Sequence, residues 1–151
     1  MYRVEIDGRE AHIEFQSAHM IPESERCRHL HGHSYFIDAV ISGDKGKDLL
    51  VDFTELKTEM RGIAKEMDHR MLIPSLDKRF RVEGKKIMAE IYGKDYIFPI
   101  EDCFLLDVKA CTAELIARHV YKELIKMEAL EGMNVAIGIV EGLGNEAWYE
   151  P

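Results

Sequence analysis

What this sequence has little of narrows it before any motif is considered. Its 151 residues hold only three cysteines, Cys27, Cys103 and Cys111, an odd number without the spacing of a disulfide framework. That scarcity favours free thiols in a reducing compartment. No apolar run approaches the length of a membrane span, and Met1-Tyr2-Arg3-Val4-Glu5 lacks the apolar core of a signal peptide. A cytoplasmic protein without membrane attachment is therefore expected. Basic excess is also missing: 20 Lys and Arg stand against 28 Asp and Glu, a net charge of −8. This argues against general nucleic-acid binding, which wants a basic face. Two local clusters oppose the global sign, Arg26-Cys27-Arg28-His29 and Lys78-Arg79-Phe80-Arg81 with Lys85-Lys86. They leave room for a small anionic ligand, although a solvated surface is the ordinary reading of such runs. Internal repeats, low-complexity stretches and linkers are absent. At 46% hydrophobic and 32% charged residues, the composition is that of one globular domain over residues 1–151, large enough to bury a core.

The hydrophobic pattern predicts an α+β fold. Tyr2–Ile6 and Ala11–Phe15 alternate on either side of Asp7-Gly8, a strong hairpin signal. Residues 17–30 are expected to form a loop, 31–42 a strand, 44–48 a polar turn and 49–51 a short strand. Asp52 opens a helix in which Phe53, Leu56, Met60, Ile63, Ala64 and Met67 recur at helical spacing. A hairpin is predicted over 86–91 and 94–98 around Gly93. Thr112 is the expected cap of a second helix, with Leu115, Ile116, His119, Val120 and Leu124 on one face and an end near residue 127. A strand over 134–141 and an extended stretch at 147–149 close the chain. Strands in hairpins with segregated helices imply an antiparallel sheet. One face would carry the helices and the other a neighbouring subunit.

What is present is a histidine constellation. His31 and His33 flank Gly32, and residues i and i+2 of a strand point to the same side. His19, with eleven residues between it and His31, can close a third position. Three neutral imidazoles with a fourth position open is the arrangement of a catalytic zinc, able to bind and polarise substrate oxygens. Surface histidines are the competing explanation, and the presence of Cys27 beside the set tips the balance. Cys27 can be a ligand itself. Three histidines already suffice, however, and Arg26, Arg28 and a nearby cation should lower the thiol pKa, freeing a thiolate as base or nucleophile. His12 and His119 look unrelated, and Cys103 and Cys111 look like packed small apolar residues. Asp68-His69 falls where the first helix ends. Adjacent side chains point differently, so a helix-terminal histidine meeting the dipole competes with a proton relay. Glu141 ends an apolar strand. It is either a solvated charge or a carboxylate that accepts two N–H groups of a flat heterocycle.

Taken together, Phe15-Gln16-Ser17-Ala18-His19, Cys27-x-x-Leu30-His31-Gly32-His33-Ser34-Tyr35, Val51-Asp52-Phe53-x-x-Leu56-Lys57, Asp68-His69-Arg70-x-Leu72, Thr112-Ala113-Glu114 and Glu141 with Tyr149 resemble the 6-pyruvoyltetrahydropterin and 6-carboxytetrahydropterin synthase family. The resemblance spans residues 15–149. It implies a T-fold, an antiparallel sheet with two helices on one face, assembled into a barrel-forming trimer and commonly a hexamer. It implies Zn2+ on His19, His31 and His33, catalytic roles for Cys27, Asp68 and His69, and substrate contacts from Glu141, Thr112 and Glu114. The implied substrate is 7,8-dihydroneopterin triphosphate. The three residues between Cys27 and His31 resemble the branch that makes 6-carboxytetrahydropterin for queuosine or archaeosine precursors. The pyruvoyl branch spaces its cysteine differently. Two features depart from the family pattern: Ile73-Pro74 after Leu72, where Asn is frequent, and a long segment from Ser75 to Phe98 like that of archaeal relatives.

Overall fold

The computed structural model describes residues 1–44 and 48–151, so most of the turn expected at 44–48 lies outside the described residues. The strands are β1 (Tyr2–Ile6), β2 (Glu14–His19), β3 (His31–Gly43), β4 (Arg70–Pro74), β5 (Phe80–Glu83), β6 (Lys86–Ile91), β7 (Lys94–Pro99), β8 (Cys103–Leu106), β9 (Asn134–Glu141) and β10 (Glu146–Tyr149). The helices are α1 (Phe53–Met67) and α2 (Ala113–Leu124). The main sheet runs β10-β9-β3-β2-β4-β8, and β1 also pairs with β3.

The long strand β3 organises everything. Its residues Tyr35, Ile37, Ala39 and Ile41 alternate inward and are buried, as period-two patterning requires. Both helices pack on that face. α1 contributes Leu56, Met60, Ile63, Ala64 and Met67, and α2 contributes Ile116, Ala117, Val120 and Leu124. α1 starts where the Asp52 carboxylate accepts the Thr54 and Glu55 N–H groups at 2.8 and 2.9 Å. The α+β expectation with two helices on one face therefore holds, with β2, β4 and β8 adding a parallel portion to the sheet.

Three local expectations fail, each for a physical reason. Asp7-Gly8 is not a hairpin turn. β1 and β2 lie end to end along β3, pairing with residues 39–43 and 31–36 respectively. The chain between them bulges out and is closed by Ile13 N–H donating to Gly8 C=O at 2.8 Å. Gly8 is required there because a Cβ would stand 2.2 Å from the Ile37 carbonyl oxygen. Residues 49–51 form bends rather than a strand. Finally, the stretch expected to be loop up to residue 30 is strand as far as His19.

β4 gave no periodic signal because it is covered on both sides. Leu72 enters the main core, while Met71 and Ile73 enter a second cluster with Met20, Phe80, Ile87, Ala89 and Ile91. That second cluster lies beneath a small antiparallel sheet, β5-β6-β7. The predicted hairpin around Gly93 is its β6-β7 half, with β5 pairing as a third strand.

Candidate metal centre and adjoining cavities

The pairing of β2 with β3 brings the three histidines together. His19 stands directly opposite His31, and Ser17 opposite His33, so the rings of 19, 31 and 33 share the helix-facing side. Ring centroids are 4.6, 5.2 and 4.9 Å apart, and one nitrogen from each ring lies within 4.8 Å of the others. Backbone carbonyls orient two of the rings. His19 Nδ1 is 2.8 Å from the Cys111 carbonyl oxygen and His31 Nδ1 is 2.6 Å from that of His29. An Nδ1–H donating to each carbonyl leaves both Nε2 lone pairs facing the centre, 3.0 Å apart. His33 Nε2 is buried without a hydrogen-bond partner, with Glu141 Oε1 3.5 Å away.

Electrostatics favour the neutral, ligating form. Burial pushes His19 down to about 4, helped by His31 and His33 and opposed by the Cys111 carbonyl. Burial also lowers His33, against the pull of Glu141. The lowered pKa values of His19 and His33 and the orphaned Nε2 suit a zinc ion well, since metal binding requires unprotonated ligands.

The neighbouring side chains form one wall. A cavity of about 250 Å³ is lined by His19, Cys27, Thr112, Glu114, Glu141 and Ala147. Cys27 sits in a loop closed by Ile21 N–H to Cys27 C=O at 2.8 Å, with Ser24 Oγ accepting the Cys27 N–H at 3.2 Å. Thr112 holds the N-cap position of α2, but its side chain makes no cap hydrogen bond.

Asp68 and His69 behave otherwise. They do form a pair, His69 Nδ1 to Asp68 Oδ2 at 2.8 Å. Neighbouring side chains meet because His69 adopts a left-handed φ of 58°, which turns its ring back. Burial raises Asp68, but the Gln16 N–H and the His69 ring outweigh it and hold the carboxyl below its ordinary value. The pair is not brought to Cys27 within the chain. His69 opens on a second hollow of about 600 Å³, which Cys27 does not line but to which Ser17 and His33 contribute. Its other lining residues Gln16, Ala18, Gly32 and Ser34 alternate with His19, His31 and Tyr35 and so face the other side of the sheet.

Tyr35 stands in the family motif, but no role in the site was expected of it. Its hydroxyl lies 3.2 Å from His19 Nδ1, its ring stacks on Phe15 at 4.7 Å, and burial followed by Glu141 raises its pKa strongly. Extending the His31-x-His33 alternation by one step would have found it. The carbonyl of Cys111 carried no sequence signal.

Fold and site together define an α+β enzyme architecture in which three histidines that could hold a metal lie on adjacent strands, beside a cavity bordered by a loop and a helix start. Comparison with known proteins makes this specific. The family model described as 6-pyruvoyl tetrahydropterin synthase matches residues 10–151, and the chain belongs to that family, a family of lyases. A putative 6-carboxy-5,6,7,8-tetrahydropterin synthase of Methanocaldococcus jannaschii is 29% identical, covering 97% of this chain and 94% of that protein. A 6-carboxy-5,6,7,8-tetrahydropterin synthase of Aquifex aeolicus is 31% identical over 77% of this chain and 67% of that one. The crystal structure of Plasmodium vivax 6-pyruvoyl tetrahydropterin synthase superimposes with a TM-score of 0.88 at 21% identity, covering 99% and 97% of the two chains, which shows the T-fold.

Proposed function

We infer that the protein is a zinc-dependent 6-carboxy-5,6,7,8-tetrahydropterin synthase, converting 7,8-dihydroneopterin triphosphate with release of acetaldehyde and triphosphate, a step toward queuosine or archaeosine precursors. The observation that carries this is the convergence of three imidazole nitrogens beside a cavity walled by Cys27 and Glu141. The three-residue gap between Cys27 and His31 and the names of the archaeal and bacterial relatives favour the carboxy branch.

His19, His31 and His33 would hold Zn2+, which supplies Lewis-acid polarisation of the side-chain oxygens of the substrate. Glu141 offers a carboxylate to the N–H groups of the pterin ring, and Thr112 and Glu114 border the same cavity. Cys27 removes a proton from the substrate side chain as its thiolate. Asp68 holds His69 in one orientation through their hydrogen bond, so that the imidazole can exchange a proton on the other side of the side chain. Since His69 and Cys27 open on different hollows of one chain, this division of labour calls for a homo-oligomer, a trimer or hexamer, in which one copy's His69 meets another copy's Cys27.

The test is incubation of the zinc-loaded protein with 7,8-dihydroneopterin triphosphate and mass analysis of the pterin. The carboxy reading expects a product with a single side-chain carbon. A product keeping three side-chain carbons would instead establish the pyruvoyl reaction. A second reading, a pterin aldolase on the same scaffold, draws on a dihydroneopterin monophosphate aldolase of Pyrococcus furiosus that is 36% identical over 42% of this chain. Pterin binding without turnover of the triphosphate would favour it.

A further inference from the structure

The segment 75–99 is absorbed by neither the metal centre nor the pterin cavity. It touches the Cys27 loop at three places. Arg79 grips Asp77 with Nε at 2.9 and 3.0 Å from the two carboxylate oxygens and Nη2 at 2.7 Å, and the same Nη2 meets Glu23 Oε1 at 2.5 Å. The Asp77 side chain is only 8% exposed and fixes the Arg79 head, whose own side chain remains 40% exposed. The guanidinium of Arg28 lies 4.3 Å from the centre of the Tyr92 ring. Lys94 Nζ stands 3.5 Å from His29 Nδ1.

These contacts bracket Cys27 on both sides in sequence, at residues 23, 28 and 29. The loop is also knotted to itself, with Ile21 N–H bonded to Cys27 C=O and Arg28 N–H to Ser24 C=O, at 2.8 and 2.9 Å. A displacement of Glu23 is therefore passed to Cys27. The far end of the brace is rigid. Ser75 N–H and Leu76 N–H donate to the carbonyls of Leu106 and Val108, at 2.8 and 3.1 Å. Tyr92 adds an independent sign. It occupies the first position of a two-residue turn with φ 52°, followed by Gly93 at φ 73°, where Asn or Gly is normal and a bulky residue is strained. Strain tolerated by an exposed aromatic points to a role for its ring, which here is the stacking surface for Arg28.

We propose that the β5-β6-β7 sheet is a brace for the cysteine loop, and that Arg79, fixed by Asp77 and holding Glu23, is a positioning residue for the Cys27 thiol. This rests on the catalytic reading of Cys27, and the experiment separates the two. Glu23→Gln and Arg79→Met are compared with Arg81→Met, which alters the same sheet away from the loop, in the zinc-loaded full chain. Turnover of 7,8-dihydroneopterin triphosphate is measured, together with the rate of Cys27 alkylation by iodoacetamide in a Cys103→Ser background. The expected result is a kcat lower by on the order of tenfold to a hundredfold, with KM and zinc content near wild type and the alkylation rate changed several-fold, whereas Arg81→Met behaves as wild type. Glu23→Gln removes only the exposed end of the network, so it decides the matter even if Arg79→Met does not fold. Wild-type kcat and alkylation rate in Glu23→Gln would overturn the brace. If the unaltered protein does not turn over this substrate, the function is wrong, and the alkylation rates still test the brace.

Discussion

The histidine cluster and the Asp68–His69 pair are built by opposite means. The first is regular structure: two antiparallel strands in register place three rings on one face, and backbone carbonyls orient two of them. The second is irregular: a helix stops, a histidine takes a left-handed φ, and the ring folds back on its neighbour. The first gathers its three rings within one chain. The second opens on a hollow other than the one Cys27 lines. The contrast teaches that the two groups are separable: strand register alone gathers the histidines, whereas the Asp68–His69 pair depends on a local backbone turn.

The contrast can be broken most severely at the metal. His31→Ala should lose stoichiometric zinc, measured by elemental analysis, and with it all detectable turnover. Cys27→Ala should keep zinc yet lose about 10²- to 10⁴-fold in kcat, and an active Cys27→Ala enzyme would remove the thiolate from the mechanism. His69→Ala should also keep zinc and lose about 10²-fold or more. Co-assembly of Cys27→Ala with His69→Ala chains sharpens the comparison. If the two groups meet across copies, mixed oligomers recover activity above the sum of the parents. Tyr35→Phe should be milder, weakening zinc affinity by about tenfold through the loss of the hydroxyl beside His19.

The smallest effect concerns pH. The folded-state pKa of His19 is lowered from 6.5 to about 4, so the unfolded chain binds a proton before the folded one. For the metal-free protein, the stability tied to neutral His19 is fully present above pH 6.5 and falls progressively as pH drops toward 4. Denaturant melts across that window should show the loss, and His19→Gln should flatten it.

How much was legible in the sequence follows the same division. The histidine set could be read because strand alternation maps spacing onto direction, and α1 could be read because its apolar stripe is helical. β4 escaped because burial on both faces erases alternation. The Asp7-Gly8 hairpin misled because turn propensity is local, whereas Gly8 is held by its close approach to Ile37, twenty-nine residues away. The Asp68–His69 bond depends on one backbone dihedral, which residue identity does not specify. Family resemblance supplied that pair, as it supplied Thr112 and Glu114.

The most direct test of the central claim is a zinc titration of metal-stripped protein supplied with 7,8-dihydroneopterin triphosphate, with acetaldehyde counted as it is released. Acetaldehyde formation rising in proportion to zinc bound, and absent in His31→Ala, is the predicted result. Acetaldehyde from metal-free protein, or none at full zinc occupancy, would contradict it.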